Sequence, residues 1–101
     1  MATKRLKLIV LKKAGEEYNR QNNHEKLLEI AQLMLELDNT YIQGHYFAAI
    51  AYGLINDYNQ VLRITKQFPN DRSFMYLATI AHEHKRLNHK SDFVDWFPLN
   101  L

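Results

Sequence analysis

Four side chains in the last third of the chain, His82, Glu83, His84 and His89, are of the types that hold transition metals. On a helix, His82 and His84 point about 200° apart, and no two histidines of the cluster have the four-residue spacing that sets both on one face. No cysteine is present to complete a site. The expectation is histidines on the surface or in a groove, with no metal and no cofactor. Unperturbed imidazoles titrate near about pH 6.5, so these could make partner binding pH-sensitive. Nucleophilic chemistry has as little to work with. Ser73 and Ser91 are the only serines, and there is no cysteine nucleophile, no phosphate-cradling glycine loop and no buried-looking carboxylate pair. No catalytic residue is expected, and the chain reads as a non-enzyme.

Fixed charge is unevenly laid out. Lys4, Arg5, Lys7, Lys12 and Lys13 give the first thirteen residues +5 with no acid, whereas residues 14–41 carry six acids against Arg20 and Lys26. A basic cluster can contact nucleic acid or an anionic membrane surface. This one is short, lacks interleaved aromatic residues, and lies on a segment needed as a helix, so a solvated helix face is expected, with neither nucleic acid nor membrane as partner.

The elements that carry these residues follow from composition and periodicity. A chain of 101 residues is one domain with a single modest core. The apolar share of 47% and net charge of +2 argue against disorder. Three glycines and two prolines leave little room for strands and tight turns, and the apolar spacing is helical throughout, so the chain is expected to be all-α. The lack of cysteine excludes a disulfide-stapled secreted domain. No apolar run approaches eighteen residues, and residues 1–11 lack the features of a signal peptide, so a cytoplasmic location is the default expectation.

Helices are expected over about residues 4–20, with Leu8, Leu11, Ala14, Gly15 and Tyr18 as a stripe, and over 24–37, apolar on more than one side. Asn22 with Glu25 has the form of a capping box for the second helix, and Thr40 with Gln43 for the third. The third, centred on residues 41–54, is nearly all apolar or aromatic yet too short to cross a bilayer, so it reads as buried. Asn56 and Asp57 end it. Asp57 with Gln60 offers a cap for a helix from Tyr58 to about Gln67, stopped by Pro69, and a fifth helix is expected over 71–87.

A shift of 34 places lays Ala48, Ala49, Tyr52, Asn56, Tyr58 and Val61 over Ala14, Gly15, Tyr18, Asn22, His24 and Leu27. Leu11, Ala14, Gly15 and Tyr18 recur as His45, Ala48, Ala49 and Tyr52, and again as Phe74, Leu77, Ala78 and Ala81. Helices approach closely only where one carries Gly or Ala, so Gly15, Ala49 and Ala78 are the expected contact points. The pattern resembles the tetratricopeptide repeat family. That resemblance implies a right-handed α-solenoid of about three helix-turn-helix repeats, over about 8–41, 42–70 and 71–101, in one domain spanning 1–101. The chain departs from the family's pattern at Leu27, Val61 and Lys90, where a small residue is usual, and at Asn39, where a closing proline is usual.

The resemblance also implies a concave groove lined by the first helix of each pair. Its positions here are Lys12, Glu16, Asn19 and Arg20; Tyr46, Ile50, Gly53 and Leu54; and Arg72, Met75, Thr79, His82 and Glu83. Tyr46, Ile50 and Leu54, four apart, would form an apolar ridge able to take a partner's helix or extended peptide. The family's carboxylate clamp for chaperone peptides is not expected, since Glu16 stands where an Asn should be and Phe47 and Tyr76 displace other polar members. The function implied is protein–protein interaction, that of a chaperone-like adaptor, similar at the level of fold to the small tetratricopeptide chaperones of type III secretion. Repeat arrays usually end in a helix with a polar outer face, and none remains after residue 87. Phe93, Val94, Trp96, Phe97, Leu99 and Leu101 instead make an apolar tail that could cover the fifth helix or form an interface. The alternative function is therefore self-association, as a homodimer, through that tail; a nucleic-acid adaptor using the basic first helix is the least supported.

Overall fold

The computed structural model describes residues 2–87 and consists there of five α-helices: α1 (Ala2–Arg20), α2 (His24–Leu37), α3 (Ile42–Leu54), α4 (Tyr58–Thr65) and α5 (Arg72–Leu87). The all-α expectation holds. Among the described residues no helix is long and apolar enough to cross a membrane. His89 and the tail from Phe93 to Leu101 lie outside the described residues.

Each helix packs on the next in sequence, while α1 also meets α3 and α3 also meets α5. The core runs through all of them: Leu8 from α1, Leu27, Ala31 and Met34 from α2, Phe47 to Ala51 from α3, Val61 and Ile64 from α4, and Phe74, Leu77, Ile80 and Ala81 from α5. α3 meets four helices, α1, α2, α4 and α5, and these bury Gly44, Phe47 to Ala51 and Gly53. This enclosure corrects one expectation. Ile50 is only 2% exposed and Gly53 is buried, so neither stands on an outward ridge.

The 34-residue shift recurs in the backbone of the turns. Asn22 and Asn56 both adopt the left-handed conformation, at φ 55° and 63°. In the first turn the N–H of Asn23 donates to the Tyr18 carbonyl and that of Asn22 to Asn19 (2.9 and 3.0 Å); in the second, Asp57 donates to Tyr52 and Asn56 to Gly53 (2.9 Å each). These bonds satisfy carbonyls that the helix end leaves without partners. The residue after each asparagine caps the next helix, Asn23 accepting from the Lys26 N–H (3.2 Å) and Asp57 from the Gln60 N–H (3.4 Å). The expected cap at Asn22 therefore falls one residue later, because a residue with positive φ closes α1 and cannot also open α2. The cap at Asp57 is as expected.

At the α2–α3 turn Thr40 does not cap α3. Its N–H and hydroxyl both donate to Asp38 Oδ1 (3.0 and 2.6 Å), and Tyr41 occupies the cap position without a side-chain bond. α4 stops at Thr65, short of the expected Gln67. The N–H groups of Gln67 and Phe68 bond back only three residues, to Ile64 and Thr65, tightening the chain before Pro69.

Helix spacing depends on two glycines. A Cβ on Gly15 would lie 2.3 Å from Cε2 of Phe47, and one on Gly44 would lie 2.9 Å from Cδ2 of Leu35. Gly15 is thus a contact point, between α1 and α3, and Gly44 is a second that the repeat pattern did not single out. Ala49 is fully buried and Ala78 half-buried. The α4–α5 turn is fastened by rings: Phe68 stacks on Phe74 (4.4 Å), Phe74 takes Tyr46 edge-on (5.6 Å), and His45 tilts against Phe68 (5.2 Å).

Candidate protein-docking surface

The expected concave groove divides when its residues are placed. On α1, Lys12 and Asn19 are half-buried while Glu16 and Arg20 are exposed. Arg20 pairs with Glu17, and that hydrogen bond, more than the bond from Gln21, holds the Glu17 carboxyl below its ordinary range. On α5, Arg72, Met75, Thr79 and His82 are exposed, and the Thr79 hydroxyl donates to the Met75 carbonyl (3.0 Å). Glu83 pairs with Arg86 (2.9 Å), which lowers the glutamate pKa by hydrogen bonding first and by charge second. Between these polar flanks, Tyr46 and Leu54 are half-buried, and Ile50 and Gly53 lie inside. Burial, followed by the nearby Asp71 carboxylate, raises the Tyr46 phenol. No continuous apolar ridge remains along α3.

The histidine cluster divides in the same way. His82 is exposed, but His84 is fully buried, with its Nδ1 3.4 Å from the Tyr58 hydroxyl, which donates to Asn56 Oδ1 (2.7 Å). The expectation of a surface or groove position is corrected for His84, which joins α5 to the start of α4. Among the described residues no three His, Asp or Glu side chains gather as a metal-holding group.

Exposed apolar surface collects elsewhere. Leu6 (62% exposed), Val10 (65%) and Leu33 (47%) line a groove between α1 and α2 of about 690 Å³, with Leu11 and Leu37 also in its lining and Thr3, Lys7 and Glu36 as its polar members. At about 100° per residue, Leu6 and Val10 stand roughly 160–200° around α1 from Leu8, which faces the core. The groove therefore opens away from α3, on the end of the helix stack. In a repeat array this is the face that a further hairpin would cover.

Both walls are well anchored. Asp38, just after α2, accepts from Thr40 and forms an ion pair with Lys4 of α1 (3.7 Å). The Thr40 hydroxyl, then the Thr40 N–H, and to a smaller extent Lys4, hold the Asp38 carboxyl below its ordinary value. Lys7 projects at the groove itself and has no carboxylate partner among the described residues.

A sequence signal for this groove exists in what the core stripe leaves over. Once Leu8, Leu11, Ala14, Gly15 and Tyr18 are assigned inward, Leu6 and Val10 remain as an i, i+4 pair on another face. Leu33 and Leu37 form the matching pair on α2, where apolar residues on a second side were expected to meet the next hairpin. No family model, curated protein or solved structure matches the chain.

Proposed function

We propose that this chain is a helical-repeat module of the tetratricopeptide kind that binds another polypeptide, acting as an adaptor or chaperone-like holder, and that it docks its partner in the α1–α2 groove. The repeat reading is supported by the recurrence of residue types and of turn geometry at the same interval, down to the paired left-handed asparagines. The docking reading rests on one observation, the concave apolar groove in which Leu6, Val10 and Leu33 face solvent side by side. Contiguous exposed apolar surface of this kind marks a partner site, and a groove between two helices suits an apolar helix or an extended segment.

Magnitude sets the style of binding. Full burial of Leu6, Val10 and Leu33 contributes roughly 5–8 kcal/mol, which is comparable to the ~4–15 kcal/mol that association costs in lost freedom. The groove alone supports a reversible complex, and Lys7 and Glu36 at its edge orient the partner more than they hold it.

The test is capture from the source lysate on immobilised full-length chain, native against a Leu6→Asp, Val10→Glu double variant shown folded by circular dichroism. The proposal expects a protein retained by the native chain and lost by the variant, with Met75→Glu on α5 keeping it. Retention that is the same for all three baits, or lost only with Met75→Glu, overturns the groove assignment.

A further inference from the structure

The partner chemistry that fits the groove is present in the chain itself. The segment 91–101 holds Phe93, Val94, Trp96, Phe97, Leu99 and Leu101 together with Asp92 and Asp95, and no basic residue. The groove offers apolar surface to match, with Leu6 and Val10 on α1, where the first thirteen residues carry +5, and Leu33 on α2, and its lining holds Lys7 and Glu36. Lys4 is already engaged by Asp38, which leaves Lys7 as the cation in the groove lining. We infer that the α1–α2 groove of one copy receives residues 91–101 of a second copy, and that two copies exchange these segments reciprocally. This rests on the groove reading above and names the occupant.

Reach favours a second copy over the segment's own chain. α5 is two helix contacts from α1, by way of α3. At about 8–10 Å between neighbouring axes, that is roughly 16–20 Å, and the outward side of α1 adds about half a helix diameter of ~10 Å. If residues 93–101 fill the groove, only five residues, 88–92, remain to link 87 to 93, and their six steps cover at most ~20–22 Å, so the segment's own chain reaches its groove only with a fully stretched link. Reciprocal exchange also closes the assembly, where a one-way contact would propagate into open chains. An anionic lipid surface is the rival for a basic, apolar helix face. It is disfavoured because the apolar surface is concave.

The experiment is sedimentation equilibrium of the full chain in four forms: native, the groove variant Leu6→Asp/Val10→Glu, the tail variant Trp96→Ala/Phe97→Asp, and an equimolar mixture of the two variants. Native chain is expected to dimerise, and each variant alone to be monomeric, with association weakened about a hundredfold or more by placing charge where apolar groups are buried. The mixture should regain a dimer, weaker than the native one, because the tail variant's intact groove and the groove variant's intact tail restore one of the two exchanged contacts. Leu6 and Val10 are exposed, so the groove variant should fold, and circular dichroism checks both. A groove variant that still dimerises, a mixture that stays monomeric, or a monomeric native chain overturns the inference, as does groove-dependent co-sedimentation with phosphatidylserine vesicles by a monomer. A monomeric native chain that still captures a lysate protein through the groove removes the exchange and leaves the docking reading standing. Loss of both removes both.

Discussion

Gly15 is subject to two opposed demands. In the middle of α1 a glycine costs about 1 kcal/mol of helix stability relative to alanine. The Cβ that alanine would bring has nowhere to go, because the Phe47 ring lies 2.3 Å from its position and is itself 2% exposed. Overpacking of this kind costs ~1–3 kcal/mol, so Gly15→Ala is expected to destabilise by up to roughly 2 kcal/mol in urea unfolding, against its helix propensity. Paired with Phe47→Leu, which frees the space, the same alanine should be neutral or stabilising. A stabilising effect of Gly15→Ala alone would show that α1 and α3 are further apart than the structure places them. The role of Gly15 as a contact was legible in sequence because it recurs as Ala49 in the repeat. Gly44 was not, since its partner, Leu35, belongs to the preceding hairpin and is outside any pattern internal to one repeat.

Among the elements, helix boundaries were readable where two polar residues in a row end one helix and open the next. The bounds of α2 are as expected, and Asp57 caps α4, because Asn and Asp in such turns have few other roles. What the one-dimensional pattern could not resolve was the division of labour between adjacent polar residues. Asn22 and Asn23 can each cap, and only the left-handed backbone at Asn22 assigns the side-chain cap to its neighbour. Asp38 and Thr40 likewise bond to each other, leaving Thr40 no part at the start of α3. The sense of the resulting pH dependence follows from Asp38. Its pKa in the fold is below the ordinary 3.8, so its contribution to stability is present above that value and fades as pH falls through the lower, folded one. Asp38→Asn imitates the protonated acid. It should lower the urea midpoint near pH 7, and its deficit should shrink as pH falls below 3.8 toward the lower, folded pKa and the native side chain becomes neutral as well. A deficit that stays constant over this range would mean that the Thr40 bonds do not depend on the charge of Asp38.

On the scale of the molecule, the apolar character of α3 has a different meaning from the one its sequence suggests. Apolar residues on a helix face signal either a docking ridge or a neighbouring helix, and the choice depends on how many elements surround it. α3 has four helices around it, so Ile50 belongs to the core. Among the described residues the end of the stack has no such cover, and there Leu6, Val10 and Leu33 remain exposed. Periodicity finds which residues are apolar on a face, whereas only the packing order tells which face is left open. Photo-crosslinking tests the central assignment most directly: a photoreactive residue replaces Val10 in one full-length chain and Met75 in another, and each is irradiated in the source cell. The account predicts a discrete polypeptide adduct from position 10, whether with a partner or with the tail of a second copy, and none from the equally apolar, exposed position 75. Adducts from position 75 alone, or equal and diffuse adducts from both, would contradict it and return the α1–α2 groove to the status of unused surface.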